Sequence, residues 1–132
     1  MLRRKNQPQN EISTFVPSGL IAHTEKGYFY VKGLKRFKFS SDRARDSWNL
    51  KIIETKEAYI ANIKISGIVG FRDGTLIKDI SNSKIYLISD NLKRHIVSPD
   101  VFKILGYTKS DVVKVSQSET SFHKEGEELN GK

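Results

Sequence analysis

The sequence predicts an α+β protein: two tandem β-β-β-α repeats that form one small, β-rich, pseudo-twofold domain with extended termini. Three observations carry that expectation. The first is a repeated phrase. "LKRFKFSSDRARDSW" (Leu34–Trp48) and "LKRHIVSPDVFKILGY" (Leu92–Tyr107) both open with Leu-Lys-Arg, run on through a short apolar stretch, and then place a Ser two residues before an Asp. The second is spacing. Leu20 to Leu76 and Tyr30 to Tyr86 are each 56 residues apart, Lys35 to Lys93 and Ser40 to Ser98 are each 58, and Ile52 to Val112 is 60. The third is where the spacing changes. Each step is two residues, first in the hairpin turn, where "KG" gives way to the longer "ISDN", and then at the helix exit. A two-residue change keeps the faces of a strand unchanged, whereas a one-residue slip would exchange them.

The second copy is the clearer one. "GTLIKD" (Gly74–Asp79) and "KIYLIS" (Lys84–Ser89) are rich in β-branched and aromatic residues, with "ISNS" between them, and read as strand, turn, strand. "SDN" is turn chemistry and "LKRHIV" (Leu92–Val97) is a third strand. Ser98, Pro99 and Asp100 then supply an N-cap, a Pro at the first helical position and an acid in the first turn. The predicted helix buries Val101, Phe102 and Leu105 and stops at Gly106. "DVVKV" (Asp111–Val115) is extended, and Ser116 with Glu119 has the form of a capping box that opens a last helical turn.

The first copy follows the same order with less apolar material. "GLIAH", "GYFYVK" and "LKRFKF" take the three strand places, "SSDRARDSW" the helix and "LKIIE" the extended segment. The helix offers only Ala44 and Trp48 as an apolar face, at i and i+4. That face is too small to stand alone, so this helix leans on the second copy. "KEAYIANIKISGIVGF" (Lys56–Phe71) reads as a helical turn and then a strand that joins the copies. A unit of this size closes a core poorly, and pairing two gives a shared one. The organisation expected is an extended basic arm over 1–14, a divergent first repeat with its connector over 15–71, a second repeat over 72–122 and a polar tail over 123–132.

Composition narrows the partners. The chain of 132 residues carries a net charge of +8 and no cysteine, which removes disulfides and thiolate metal sites. Basic residues dominate between Lys26 and Lys51, a balance that suits nucleic acid, an anionic membrane face or an acidic protein surface. No run approaches the ~18 apolar residues of a membrane span, so insertion is not expected. The opening "MLRRKNQPQNE" has no apolar segment behind its basic residues and does not read as a secretory signal.

No constellation for catalysis stands out. His23, His95 and His123 lack metal-ligand spacing, and the glycines of "GIVGFRDG" do not form a phosphate loop. Asp42/Asp46 and Asp79/Asp90 read as helix-start and turn residues. The aromatic and basic run "KGYFYVKGLKRFKF" admits two readings. In one, Tyr28 and Tyr30 stack bases while Lys35, Arg36, Lys38, Arg43 and Arg45 hold phosphates. In the other, which is preferred, Phe29, Val31, Phe37 and Phe39 are core and the lysines are a solvated face. Lys35-Arg36 and Lys93-Arg94 recur at matching places, and an Arg laid flat on a neighbouring Tyr, with its charge at the rim, would serve structure alone.

The segment 73–122 resembles a repeat found in bacterial surface and secreted proteins and in virion proteins of tailed phages. The pattern is G-T-L at Gly74, Thr75 and Leu76, then Tyr86-Leu87, then Lys93, Arg94, Ile96 and Ser98, then Phe102 with Gly106-Tyr107, and finally Asp111, Val112 and Val115. Residues 18–60 match only through the divergent copy, which lacks the Phe and the Gly-Tyr. The resemblance implies a non-enzymatic module without a cofactor, binding or architectural. It points to a structural protein of a tailed-phage virion, made in the host cytoplasm and placed at the neck, tail or capsid surface. Its partners would be other virion proteins in a symmetric assembly of many copies, with Arg3, Arg4 and Lys5 docking on an acidic neighbour. The alternatives are a cytoplasmic nucleic-acid-binding accessory protein and a cell-surface or cell-wall binding module.

Overall fold

The computed structural model describes residues 16–131. The basic arm, with Arg3, Arg4 and Lys5, lies outside the described residues. The first copy runs β1 (Ile21–Thr24), β2 (Gly27–Lys32), β3 (Lys35–Phe39), α1 (Asp42–Trp48), β4 (Ile52–Glu54), a 3-10 turn (Glu57–Tyr59) and β5 (Lys64–Val69). The second runs β6 (Leu76–Asp79), β7 (Ile85–Ser89), β8 (Leu92–His95), α2 (Pro99–Ile104), a 3-10 turn (Lys109–Asp111), β9 (Val112–Val115), α3 (Gln117–Ser121) and β10 (Lys124–Glu125).

Each copy builds a five-stranded sheet, and the two sheets have the same order: β4-β1-β2-β3-β5 and β9-β6-β7-β8-β10. The three central strands are antiparallel, and the outer strand at each edge is parallel to its neighbour. The repeat is therefore longer than β-β-β-α. It includes the parallel strand after the helix, a helical turn and a fifth strand at the far edge.

The register carries the duplication residue by residue. Tyr30 lies opposite Phe37 as Tyr86 lies opposite His95, and Val31 opposite Arg36 as Leu87 lies opposite Arg94. Two expectations need correction. The extra two residues of the second hairpin do not lengthen its turn. Lys32 and Lys35 close the first hairpin around Gly33-Leu34, and Ser89 and Leu92 close the second around Asp90-Asn91. Asp90 and Asn91 have φ of 52° and 65°, the backbone of a type I′ turn, so the insertion is one added rung. Ile52 pairs with Ile21 and Val113 with Ile77, so the matching spacing there is 61 rather than 60.

The polar tail is the second correction of extent. Lys124 and Glu125 pair in parallel with Leu92 and Lys93, and Leu129 N–H donates to the His95 carbonyl at 2.8 Å. His123 is buried at 1%. Its Nε2 accepts from the Phe71 N–H at 3.0 Å, which leaves Nδ1 as the donor to the Asn91 carbonyl at 2.8 Å. Burial holds this imidazole below its ordinary pKa. The backbone of Gly70 passes so near the rings of His123 and Phe122 that a Cβ there has no room.

The chain divides into two compact units. One is the chain up to Phe39 with Asn49–Val69; the other is Ser40–Trp48 with Gly70 onward. In the first, Val16, Ala22, Val31, Ile60 and Ile63 pack together on one face of the sheet. In the second, both faces are covered. Leu76, Ile96 and Val101 pack on one face, with α2 supplying Val101 and the half-buried Phe102. Phe71, Ile77, Tyr86, Ile88 and Val115 pack on the other, and Ala44 of α1 completes that set. The helix of the first copy thus belongs to the second unit, as its thin apolar face suggested.

Local signals place the helices. α2 has Ser98 at its N-cap, Pro99 in its first turn and Gly106 at φ 81° after its last residue. Leu105, expected inside, is 40% exposed instead, because α2 ends at Ile104 and turns away before a second apolar row forms. Ser116 and Glu119 form the capping box that opens α3.

Ala44 is fully buried, so Ala44→Leu should cost about 1–3 kcal/mol through overpacking. Urea unfolding measures the loss. Hydrogen exchange should show it in β6, β7 and β9 first, and equal loss of protection in β1 and β2 would assign α1 to the other unit.

Candidate interaction surface

The recurring Lys-Arg pairs are mostly used inside the molecule. Arg36 on β3 is 4% exposed. Its Nε donates to the Ile63 carbonyl at 2.7 Å, and Nη1 and Nη2 each donate to a Glu57 carboxylate oxygen at 2.7 Å. The guanidinium lies 4.6 Å from the centre of the Phe29 ring. Thr24 adds a hydroxyl bond to Glu57. The Arg36 bonds, more than any other contact, bring the Glu57 carboxyl down to about 2. Arg36 is therefore a structural residue, not a contact residue.

In the second copy Lys93 sits 5.5 Å from the Tyr86 ring centre and Arg94 Nε donates to the Glu127 carbonyl at 2.9 Å. On α1, Arg43 reaches Glu119 of α3 at 3.0 Å, and Arg45 bonds Asp42 and Asp46. Burial alone would raise the Glu119 carboxyl, but bonds from Arg43, Ser116 and Ser41 outweigh it and hold it at about 2. A serine-rich depression of about 670 Å³ lies against that carboxylate. Its one acid is already committed to those donors.

The tyrosines are also engaged. Tyr28 stacks on His23 with ring centres 3.9 Å apart and planes 4° apart, while His23 Nδ1 donates to Glu54 at 2.8 Å. Tyr30 lies 6.4 Å from Phe37, its partner across the ladder. Of the candidates, Lys35, Lys38 and Arg43 stand exposed, and Arg43 is bridged to Glu119. Lys35 shares a rung with Lys32 and with Lys64 of β5, so three exposed lysines cross the sheet side by side. Among the described residues none of the three has an ionic partner. Like charges on one rung cost stability unless an anion or solvent separates them.

A groove of about 370 Å³ opens beside α2. Its floor is Ile85, Ile96, Phe102 and Val112; Lys84 and Lys109 stand at its rim with His95, Ser83 and Ser98. Sequence reasoning missed this groove, as it missed Glu57, Lys64 and the bond of Glu119 to Arg43. The partners lie 21 and 76 residues from Arg36 and Arg43, and no local pattern joins them. The pairing of β5 with β3, which brings Lys64 beside Lys35, leaves equally little trace.

Among the described residues no group of three His, Asp or Glu side chains is placed to hold a metal ion. Nor is any described helix long and apolar enough to cross a membrane. No family model matches the chain, and no curated protein and no solved structure matches it either. What fold and register define is an α+β protein made of two similar tandem units.

Glu57→Ala strands the Arg36 guanidinium in the interior and should cost about 3–5 kcal/mol in urea unfolding. The carboxyl titrates near 4.5 in the unfolded chain and near 2 in the folded one. Its contribution is complete above pH 4.5 and disappears as pH falls toward 2. Acid titration of the variant should therefore lack part of the stability loss that the parent shows in that window.

Proposed function

We propose that the chain is a non-enzymatic structural protein of a tailed-phage particle that works by contact with other proteins. The resemblance of residues 73–122 to the virion and surface repeat supports the class. The single observation that carries the contact reading is the division of the surface groups. Arg36, Arg43, Arg45, Lys93 and Arg94 are held by the protein's own acceptors and rings, while the groove beside α2 keeps an open apolar floor. In a symmetric particle the module would repeat, and each copy would meet the same neighbour.

The reading is tested by purifying intact particles and measuring the chain by quantitative mass spectrometry. A fixed copy number per particle is expected. A chain found only in the soluble lysate would end the virion assignment. Removal of residues 1–14 should abolish incorporation and leave the circular dichroism spectrum of the remainder unchanged; normal incorporation would dismiss the arm as the docking element.

The lysine rung formed by Lys32, Lys35 and Lys64 favours a second reading, a nucleic-acid accessory role, in a reduced form. The surface left for it is three or four lysines, not the arginine-and-tyrosine set. Filter binding at low and high salt decides it. A protein held by a few lysines should bind weakly and lose that binding as salt rises. Absence of retention at low salt removes this reading.

A further inference from the structure

The groove beside α2 lies on a face of the second copy whose counterpart in the first copy is sealed. Its floor residue Ile85 on β7 matches Phe29 on β2, 56 positions earlier. Phe29 is 1% exposed because the Arg36 guanidinium lies over it, pinned by Glu57 and the Ile63 carbonyl. The matching Arg94 in the second copy turns to the Glu127 carbonyl instead. Ile85 is left half-buried with Phe102 and Val112 beside it. The same scaffold thus seals its face in one copy and leaves it open in the other.

The open face has a distinct chemistry. The floor is aliphatic and aromatic. At the rim Lys84 and Lys109 are exposed, and neither has an ionic partner among the described residues. No described acid lines the groove; Glu128, outside it, stands 3.6 Å from His95 Nδ1. The hydroxyls of Ser83 and Ser98 line the same space, and Ser98 makes no capping bond. Such a site combines apolar burial with convergent donors and has no lining carboxylate. About 370 Å³ accommodates one bulky side chain with the backbone that bears it.

The geometry points to an extended acidic segment of a partner protein as the occupant, with a bulky apolar side chain on Ile85, Phe102 and Val112 and flanking carboxylates on Lys84 and Lys109. Two separated cations along an open groove match a chain with acids on either side of an anchor better than a compact molecule with one charge. This inference rests on the contact reading above and names the partner chemistry it would use.

The test is a selection of random eight-residue peptides on the full chain, followed by titration of the enriched peptides, synthesised singly. Enrichment of Asp or Glu around one large apolar residue is expected. Those peptides should shift the NMR signals of Ile85, Phe102 and Val112. The double variant Lys84→Glu/Lys109→Glu, at exposed positions, should weaken them at least tenfold. Selection without acidic enrichment, shifts elsewhere, or unchanged affinity in the double variant would overturn the inference. So would 4-phenylbutyrate, a small aryl acid, binding as tightly as the best peptide. Particle incorporation is read separately. Peptide capture by a chain absent from particles would fail the virion assignment alone, and incorporation without peptide capture would fail the groove alone.

Discussion

A side chain on a strand has only two faces to choose from, and that parity governs both copies of this module. Every difference in length between the copies must either respect it or be absorbed where no face is at stake. The second hairpin gains two residues and becomes one rung longer, so Tyr86 and Ile88 keep the alternation of Tyr30 and Lys32. The odd difference is absorbed between the third strand and the last parallel strand, in the loops around the helix, where no ladder crosses it. β5 shows what happens when parity is broken inside a strand. Arg36 pairs with Ile65 and Lys38 with Ile68, so three steps on β5 answer two on β3. The bulge at Ser66-Gly67 turns Ile65 and Ile68 to one face, and Gly67 at φ 149° accepts a backbone that other residues resist.

With the ladder fixed, the copies differ in which face is filled and by what. The first buries Phe29 and Val31 under Ile60, Ile63 and a guanidinium. The second buries Tyr86 and Ile88 under α1 and also covers the opposite face with α2. A buried Arg is tolerated only where every donor is answered, and Glu57 with the Ile63 carbonyl answers those of Arg36. At the identical position in the second copy the half-buried Arg94 takes a backbone carbonyl instead.

This explains what could be read from the residues and what could not. The repeat, its strands and the start and stop of α2 were legible because they rest on local chemistry: alternation, Ser98-Pro99, Gly106 and the Ser116–Glu119 box. The core assignment held for Phe29 and Val31, which are 1% and 0% exposed, while Phe37 and Phe39 are only half-buried near the sheet edge. A structural use for the Arg of the pair was legible, but the ion pair of Arg36 was hidden because its partner, Glu57, has no pattern of its own. β10 was hidden because two residues of polar sequence, Lys124 and Glu125, carry no strand signal. Its one legible trace was distance: Lys64 and Glu125, the residues opposite Lys35 and Lys93, stand 61 apart, as Ile52 and Val113 do.

The edge strand β5 and the groove beside α2 both present apolar surface, and the physics separates them. The edge strand β5 shows Ile65 at 43% and Ile68 at 56% exposure, which on a flat strand would invite another strand to add. Its bulge interrupts the line of backbone groups that such pairing needs, and Lys64 adds a charge at its start. Both are devices that keep sheet edges apart. The groove beside α2 carries no comparable guard. Its floor is formed by side chains of β7, α2 and β9 with Ile96 just after β8, already held by packing, so an occupant need not order it first. A surface that blunts its sheet edge and leaves a prebuilt apolar groove between two cations is suited to side-chain contact rather than backbone pairing.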